Sequence, residues 1–335
     1  MKKLAIGVDI GGINTAFGLV DENGDLYAES VISTKKYPYV DDYLAYVEDL
    51  CDSMRALAQS LSFEYELTGI GIGAPNANYH KGTIETPANL WKFKEGDPNP
   101  DESRRVFPLA DDISKCFGGV KTLITNDANA ATIGEMIYGN AKGMRDFIMI
   151  TLGTGLGSGF VANGEMVYGH DGFAGEFGHI PFFDNEIICS CGKKGCLETE
   201  VSGIAIEDKM CHLIQKGVNT ILKEKYDQQK TIHIDDIITA AKNDDNLSIE
   251  LIEEAGEKVG KAVAFLINTF NPETVIVGGN LAAAGDYIML PLKSATNKYS
   301  LNLVYKDTKF RVSKMTENAN AWGVAMLIRN KIIGL

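Results

Sequence analysis

The chain is short of several things that would place it in a special class. Six cysteines among 335 residues are too few for a disulfide framework, and three of them crowd into one short stretch. The other three, Cys51, Cys116 and Cys211, fall in helical or apolar surroundings and read as small buried thiols in a reducing compartment. No stretch approaches the ~18 consecutive apolar residues of a membrane-spanning helix. The N-terminal MKKLAIGVDIGG turns to glycine after a few apolar residues, too soon for the hydrophobic region of a signal peptide, so it is expected to be a first strand. Basic residues are also in short supply. Lys and Arg number 32 against 45 Asp and Glu, for a formal charge of −13. Nucleic-acid backbones demand clustered Lys and Arg, so no nucleic-acid partner and no membrane partner is expected. The expectation is a soluble cytoplasmic protein whose acidity serves solubility.

What is present is globular: 45% hydrophobic and 23% charged residues, without low-complexity tracts. The length suits two domains of ~100–150 residues. Residues 3–9 and 15–20 are apolar runs separated by a glycine-rich turn. Asn23-Gly24 then separates the second run from 25–33, the strongest short-range hairpin signal in the chain. Residues 41–61 repeat apolar positions at three- and four-residue intervals, predicting an amphipathic helix. LTGIGIGAP (67–75) predicts a buried strand. From Asn76 to Pro108 the prolines at 87, 98, 100 and 108 mark a loop-rich stretch of the kind that is often functional. Within it, Asn89 beside Trp91 and Phe93 suggests an amide and an aromatic wall for a sugar.

TLIT (122–125) delivers Asn126 and Asp127 to an alanine-rich helix ending near Gly139, with Asp127 as a candidate N-cap. Residues 145–169 repeat the opening order of strand, glycine turn, strand, Asn-Gly turn and strand, so two α/β halves by internal duplication are expected. The loop LGTGLGSG (152–159) matches neither a Walker A sequence nor GxGxxG, but glycine-rich turns can align N–H groups as an anion nest. Further on, Asp235 is a candidate N-cap, 256–270 an amphipathic helix, 273–280 a buried strand with a third glycine turn, and 321–333 a last helix.

The densest chemistry lies in GEFGHIPFFDNEIICSCGKKGCLE (175–198). His179, Cys189, Cys191 and Cys196 supply four N/S donors, the set that closes a tetrahedral zinc ion. Gly192 and Gly195 allow the backbone to fold tightly around it. Glu176 and Glu198 bracket the cluster, and a structural zinc site needs neither.

Across nearly its whole length the sequence resembles the ROK family of repressors, open-reading-frame proteins and sugar kinases. The zinc signature of that family fits GHI…CSCGKKGCLE (178–198), its first phosphate loop DIGGINT (9–15), its second LGTGLGSG, and its adenosine loop VIVGGN (275–280). The resemblance implies a duplicated actin/hexokinase-like (ribonuclease H-like) α/β fold with two lobes around a central cleft. A smaller lobe would span 1–120, completed by the C-terminal helix at about 321–335, and a larger one 121–320 with the zinc loop. It implies an ATP-dependent hexose kinase, most specifically a glucokinase, with an N-acetylmannosamine, N-acetylglucosamine or fructose kinase as the alternative. A non-catalytic sugar sensor is disfavoured, because the core strand beginning near residue 3 leaves no room for a preceding winged helix-turn-helix.

In that reading Asp127 is the base. Asn89, Asn126, Glu176, His179 and Glu198 hold the sugar, and His179 also ligates a structural Zn2+. Asp9, Gly11, Gly12, Asn14, Thr15, Gly153, Thr154, Gly155, Gly278, Gly279 and Asn280 bind ATP, which arrives with Mg2+. A homodimer or homotetramer is implied as well. Two departures stand out. Ile13 replaces a hydroxyl-bearing residue near the phosphates, for which Thr15 is a candidate substitute, and Asn76 occupies a position where a second glycine usually follows the proline.

Overall fold

A computed structural model describes residues 1–87 and 90–313. The expected helix at 321–333 and the candidate sugar ligand Asn89 lie outside these residues. The described chain divides into two compact units, Met1–Gly143 with Tyr168–Ala174, and Met144–Val167 with residues 175–313.

The first unit opens with the antiparallel meander β1 (Lys2–Ile10), β2 (Asn14–Val20) and β3 (Leu26–Ser33). The β2–β3 connection is longer than a two-residue turn: the Asp21 carbonyl accepts from Gly24 N, and Gly24 takes a left-handed φ of 87°. Helix α1 (Tyr43–Gln59) follows, with Tyr46, Leu50, Cys51 and Met54 buried along one stripe. Strand β4 (Tyr65–Gly73) pairs parallel with β1. The proline-marked stretch holds only the short strands β5 (Ala77–Asn78), β6 (Thr83–Glu85) and β7 (Val106–Phe107). Helix α2 (Leu109–Cys116), β8 (Thr122–Thr125) and α3 (Asp127–Ile137) complete the unit. Its main sheet runs β3-β2-β1-β4-β8.

Trp91 is fully buried, with its ring edge-on to Tyr43 and Tyr46 and tilted against Phe107. Phe93 lies beneath the Arg104 and Arg105 guanidiniums. The aromatic wall expected for a sugar is therefore part of this unit's own packing. The segment Tyr168–Ala174 joins the unit through polar and ring contacts. Asn78 Nδ2 donates to the Asp171 carbonyl at 2.8 Å, and Tyr79 stacks on Tyr168 at 4.0 Å.

The second unit repeats the opening. Strands β9 (Phe147–Leu152), β10 (Leu156–Ala162) and β11 (Glu165–Met166) form a meander, and Asn163 and Gly164 turn between the last two at φ 55° and 85°, a primed hairpin turn. Helices α4 (Glu198–Val201), α5 (Gly203–Gln215), α6 (Lys223–Gln229), α7 (Ile234–Lys242) and α8 (Asn246–Phe270) lead to β12 (Thr274–Gly278). Helices α9 (Asp286–Tyr299) and α10 (Asn302–Tyr305) and strand β13 (Lys309–Val312) follow. The sheet order β11-β10-β9-β12-β13 reproduces that of the first unit position for position. The duplication read from the glycine turns is real at the level of topology.

Two local expectations change. Helix α8 starts at Asn246, ahead of the expected 256, where Asp245 caps it by accepting from Ser248 N at 3.0 Å. Asp235 is not the cap of α7. Position 233 is, and Asp236 reaches back to the His233 N–H at 3.1 Å. No helix among the described residues is long and apolar enough to cross a membrane.

Glycine in the middle of α8 is a packing device. A Cβ on Gly260 would stand 2.2 Å from the Leu292 carbonyl oxygen of α9, and Thr296 Oγ1 donates to the Gly260 carbonyl at 3.0 Å. Gly260→Ala should therefore lower the unfolding free energy by about 1–3 kcal/mol, as overpacking does, despite the gain of about 1 kcal/mol in helix propensity. Denaturant unfolding checks it, and a stabilised variant would refute the close helix contact.

Candidate active site

In the first unit the candidate side chains gather at the carboxyl ends of parallel strands, the edge at which open α/β sheets bind ligands. Asp9, Gly73 and Thr125 are register partners across β1, β4 and β8. The turns that follow each strand thus leave the sheet side by side: 11–14 after β1, 74–76 after β4 and Asn126-Asp127 after β8. The first turn closes with Gly11 N donating to the Asn14 carbonyl at 2.9 Å, and Ile13 stands 67% exposed at its tip.

Thr15 departs from its expected role. As the next residue along β2 after exposed Asn14 it faces inward, wholly buried. Its hydroxyl is shared with Thr34 Oγ1 and Tyr46 OH, both at 2.8 Å. Strand alternation therefore removes the Thr15 hydroxyl from the phosphate contacts and from any compensation for Ile13. Asn76 holds a left-handed φ of 54° and donates from Nδ2 to the Thr86 carbonyl at 3.3 Å. Asparagine tolerates that conformation better than other side chains, which explains how it can stand where glycine is usual.

The cap of α3 is Asn126, not Asp127. Asn126 Oδ1 accepts from Ala128 N at 2.8 Å and Asn129 N at 3.4 Å. Asp127 is the first helical residue, exposed, with Oδ1 2.8 Å from Ala128 N. The amide of Asn126 thus serves as the cap, and the Asp127 carboxylate lies beside it at a helix start whose partial positive charge favours anions.

The second unit brings together the other candidates. Gly278 pairs with Thr151 across β12 and β9, so the turns 153–155 and 279–280 leave adjacent strand ends. They meet too closely for a side chain: a Cβ on Gly279 would lie 2.3 Å from the Leu152 carbonyl oxygen, and φ there is 83°. The Gly153 carbonyl accepts from Gly203 N at 2.7 Å, while Gly153 N donates to the Gly155 carbonyl at 3.0 Å. Thr154 is exposed at the loop tip, and Asn280 begins the helical turn Asn280–Ala284.

The donor atoms of His179, Cys189, Cys191 and Cys196 all lie within 4.8 Å of one another. Cys189 Sγ is 3.5 Å from His179 Nδ1, and Cys191 Sγ is 3.6 Å from Cys196 Sγ. Donors at about 2.0–2.3 Å from a tetrahedral zinc stand roughly 3.3–3.8 Å apart, so the cluster fits that ion. Burial, reinforced by the two neighbouring thiols, pushes Cys196 up to about 12, and a bound cation would reverse that bias. Burial also opposes ionisation of Cys191, but the Lys193 backbone N–H and the adjacent thiols outweigh it and hold Cys191 below its ordinary value. His179 Nδ1 faces the sulfur, and its Nε2 lies 3.8 Å from Glu176 Oε2.

Glu198 sits at the start of α4, where Oε2 accepts from Leu156 N at 2.9 Å and Oε1 is 3.8 Å from Cys189 Sγ. Two residues on, Glu200 anchors this short helix. It accepts from Lys258 Nζ and from Asn185 Nδ2, both at 2.5 Å. Burial disfavours the Lys258 charge, yet Glu200 and Glu254 hold its pKa above the ordinary lysine value. Nothing in the spacing of the sequence marks Lys258 or Asn185, because the contacts join distant segments.

Asn126→Ala should lower stability by about 1 kcal/mol, the usual worth of a cap, and Asp127→Ala should lower it by less, about 0.3–1 kcal/mol for a first-turn carboxylate. Paired denaturant titrations test this, and the opposite ranking would return the cap to Asp127.

Comparison with known proteins agrees with these features. The description "ROK family" matches residues 5–331. The chain is 30% identical over 330 residues to the glucokinase of Halalkalibacterium halodurans, covering 97% of this chain and 95% of that protein. Among solved structures, a ROK family glucokinase from Streptomyces griseus in complex with glucose and AMPPNP is similar with a TM-score of 0.77 and 28% identity, over 98% of this chain and 99% of that one. A ROK family transcriptional regulator, a homolog of the E. coli MLC protein, is similar with a TM-score of 0.85 and 26% identity, over 98% of this chain and 78% of that one. With the duplicated sheet, the glycine turns and the His-Cys cluster in place, the chain belongs to the ROK family.

Proposed function

We propose that this protein is an ATP-dependent hexose kinase, and more narrowly a glucokinase, which transfers the γ-phosphate of ATP to the 6-hydroxyl of its sugar. The observation that carries the reading is the Asn126–Asp127 pair. Asn126 caps α3, and Asp127 stands exposed at the carboxyl edge of the first sheet. The H. halodurans relative is a glucokinase, and the S. griseus structure holds glucose with AMPPNP, which supports glucose as sugar and ATP as donor.

Phosphoryl transfer asks the protein mainly for positioning and charge stabilisation. In this reading Asp127 accepts the proton of the sugar 6-hydroxyl as that oxygen attacks the γ-phosphorus, a general-base role. Asn126 would contact the sugar from the same helix start through its Nδ2, while its Oδ1 keeps the cap. Glu176 and Glu198 accept from sugar hydroxyls, and His179 donates from Nε2. Asn89 is assigned to the sugar as well. Asp9 and the 11–14 turn are assigned to the phosphates, with Thr15 removed from that set. Residues 153–155 are assigned to the phosphates as well, and 278–280 to the adenosine. Mg2+ bound with the nucleotide would neutralise phosphate charge.

His179, Cys189, Cys191 and Cys196 would hold a structural zinc with no open coordination position. Ligation at Nδ1 then leaves Nε2 as the donor and fixes the ring's orientation.

Asp127→Asn should reduce kcat by about 10²–10⁴-fold, the typical worth of a general base, with sugar binding by calorimetry retained. Turnover near the wild-type rate would remove Asp127 from the role. Cys191→Ser should release the bound zinc, followed by metal analysis, and weaken sugar binding through His179. Unchanged sugar affinity in the metal-free variant would contradict the link.

A further inference from the structure

We propose that Glu198 joins the sugar site to the phosphate loop, so that sugar and nucleotide bind with positive cooperativity through one carboxylate. The proposal rests on the assignment of Glu198 to the sugar and of residues 153–155 to the phosphates. It adds an energetic link between the two that neither assignment contains.

The link is visible at the peptide of Leu156, the residue that ends the phosphate loop and begins β10. Its N–H donates to Glu198 Oε2 at 2.9 Å. Its carbonyl lies beneath the GEFGH turn, where a Cβ on Gly178 would come within 2.4 Å of the Leu156 oxygen. The residue before it, Gly155, lies directly against the same carboxylate: a Cβ there would be 2.5 Å from Glu198 Oε2. Two segments assigned to the sugar therefore clamp the end of the loop assigned to the phosphates. Glu198 is itself held, through α4, by Glu200 and its bonds to Lys258 and Asn185.

The sign of the coupling follows from charge and order. A carboxylate beside an anion-binding loop opposes the phosphates and occupies one backbone N–H that could otherwise face them. Sugar hydroxyls donating to Glu198 disperse its charge and fix its position. Fixing Glu198 fixes Leu156 and the loop, so the nucleotide meets a site whose ordering has already been met by the sugar. Both effects favour nucleotide after sugar, and by linkage the nucleotide strengthens sugar binding by the same factor.

Two neighbouring glycines separate this account from general damage to the loop. Neither Gly153 nor Gly155 has a φ in the left-handed region, so alanine is permitted by the backbone at both. A Cβ on Gly153 meets nothing within 4 Å, whereas one on Gly155 meets Glu198. Glucose is titrated calorimetrically into each variant without nucleotide, with thermal unfolding confirming that each is folded. Gly155→Ala should weaken glucose binding by about tenfold and Gly153→Ala should not, within the range usual for coupled sites. In the wild type, saturating glucose should tighten Mg–AMPPNP by about tenfold, and Glu198→Gln should tighten AMPPNP in the absence of glucose and lose most of that dependence. Equal glucose affinity in the two alanine variants, or AMPPNP affinity indifferent to glucose in the wild type, overturns the coupling and leaves the kinase assignment standing. A wild type that binds no hexose overturns both.

Discussion

Between Pro181 and Leu197 the chain forms no helix and pairs only through single bridges, Pro181 with Cys196 and Ile188 with Lys194. Leu197, Phe182 and Phe183 pack this segment against the core of the unit, but its tip, Cys191 to Lys194, is exposed, and His179 and Glu198 stand at its two ends. The four donor atoms, within 4.8 Å of one another, would supply a constraint there, since a tetrahedral ion bound in their midst would stand in for a hydrophobic core. Burial beside two other sulfurs holds the Cys196 thiol above its ordinary value, and a bound cation would reverse that bias. From this point the organisation of the second unit follows: one imidazole nitrogen toward sulfur, the other toward Glu176, and Glu198 extended from the far end of the loop to the Leu156 amide.

The two units use one topology for different chemistry. In each, a meander supplies three strands, a parallel strand is added beside the first, and the turns after the central strands share an edge. In the first unit that edge carries Asp9 and the Asn126–Asp127 helix start. In the second it carries the 153–155 and 279–280 turns, with the His-Cys loop nearby on β10 through Leu156 and Gly178. The proposed general base follows β8, whose counterpart is β13, and the proposed adenosine contacts follow β12, whose counterpart is β4, so the two roles occupy different positions along one repeated edge.

Much of this was legible in the sequence, for reasons that differ by element. The meanders were, because apolar runs broken by glycine and Asn-Gly turns encode strand and turn locally. The His-Cys cluster was, because its ligands are near neighbours and their spacing is the signal. What was not legible depends on which way a side chain faces or on what is distant in sequence. Thr15 looks available in DIGGINT, but alternation along β2 turns it to Thr34 and Tyr46. Trp91 and Phe93 have the composition of a sugar wall and yet serve their own unit. Asn126 and Asp127 are equally good caps by propensity, and only the backbone path decides between them. The start of α8 at Asn246 depends on the Asp245 cap, whose carboxylate also accepts from Thr220 and Ile221, far back in the chain.

The central claim is that this chain phosphorylates a hexose, with glucose preferred. The most direct test is ADP release from Mg-ATP, followed with a coupled assay across glucose, mannose, fructose, N-acetylglucosamine and N-acetylmannosamine. Sugar-dependent turnover is expected, with glucose giving the highest kcat/KM. Preference for an acetamido sugar would contradict the glucokinase assignment and direct attention to the Asn76 turn, and ADP release that no hexose stimulates would contradict the kinase itself.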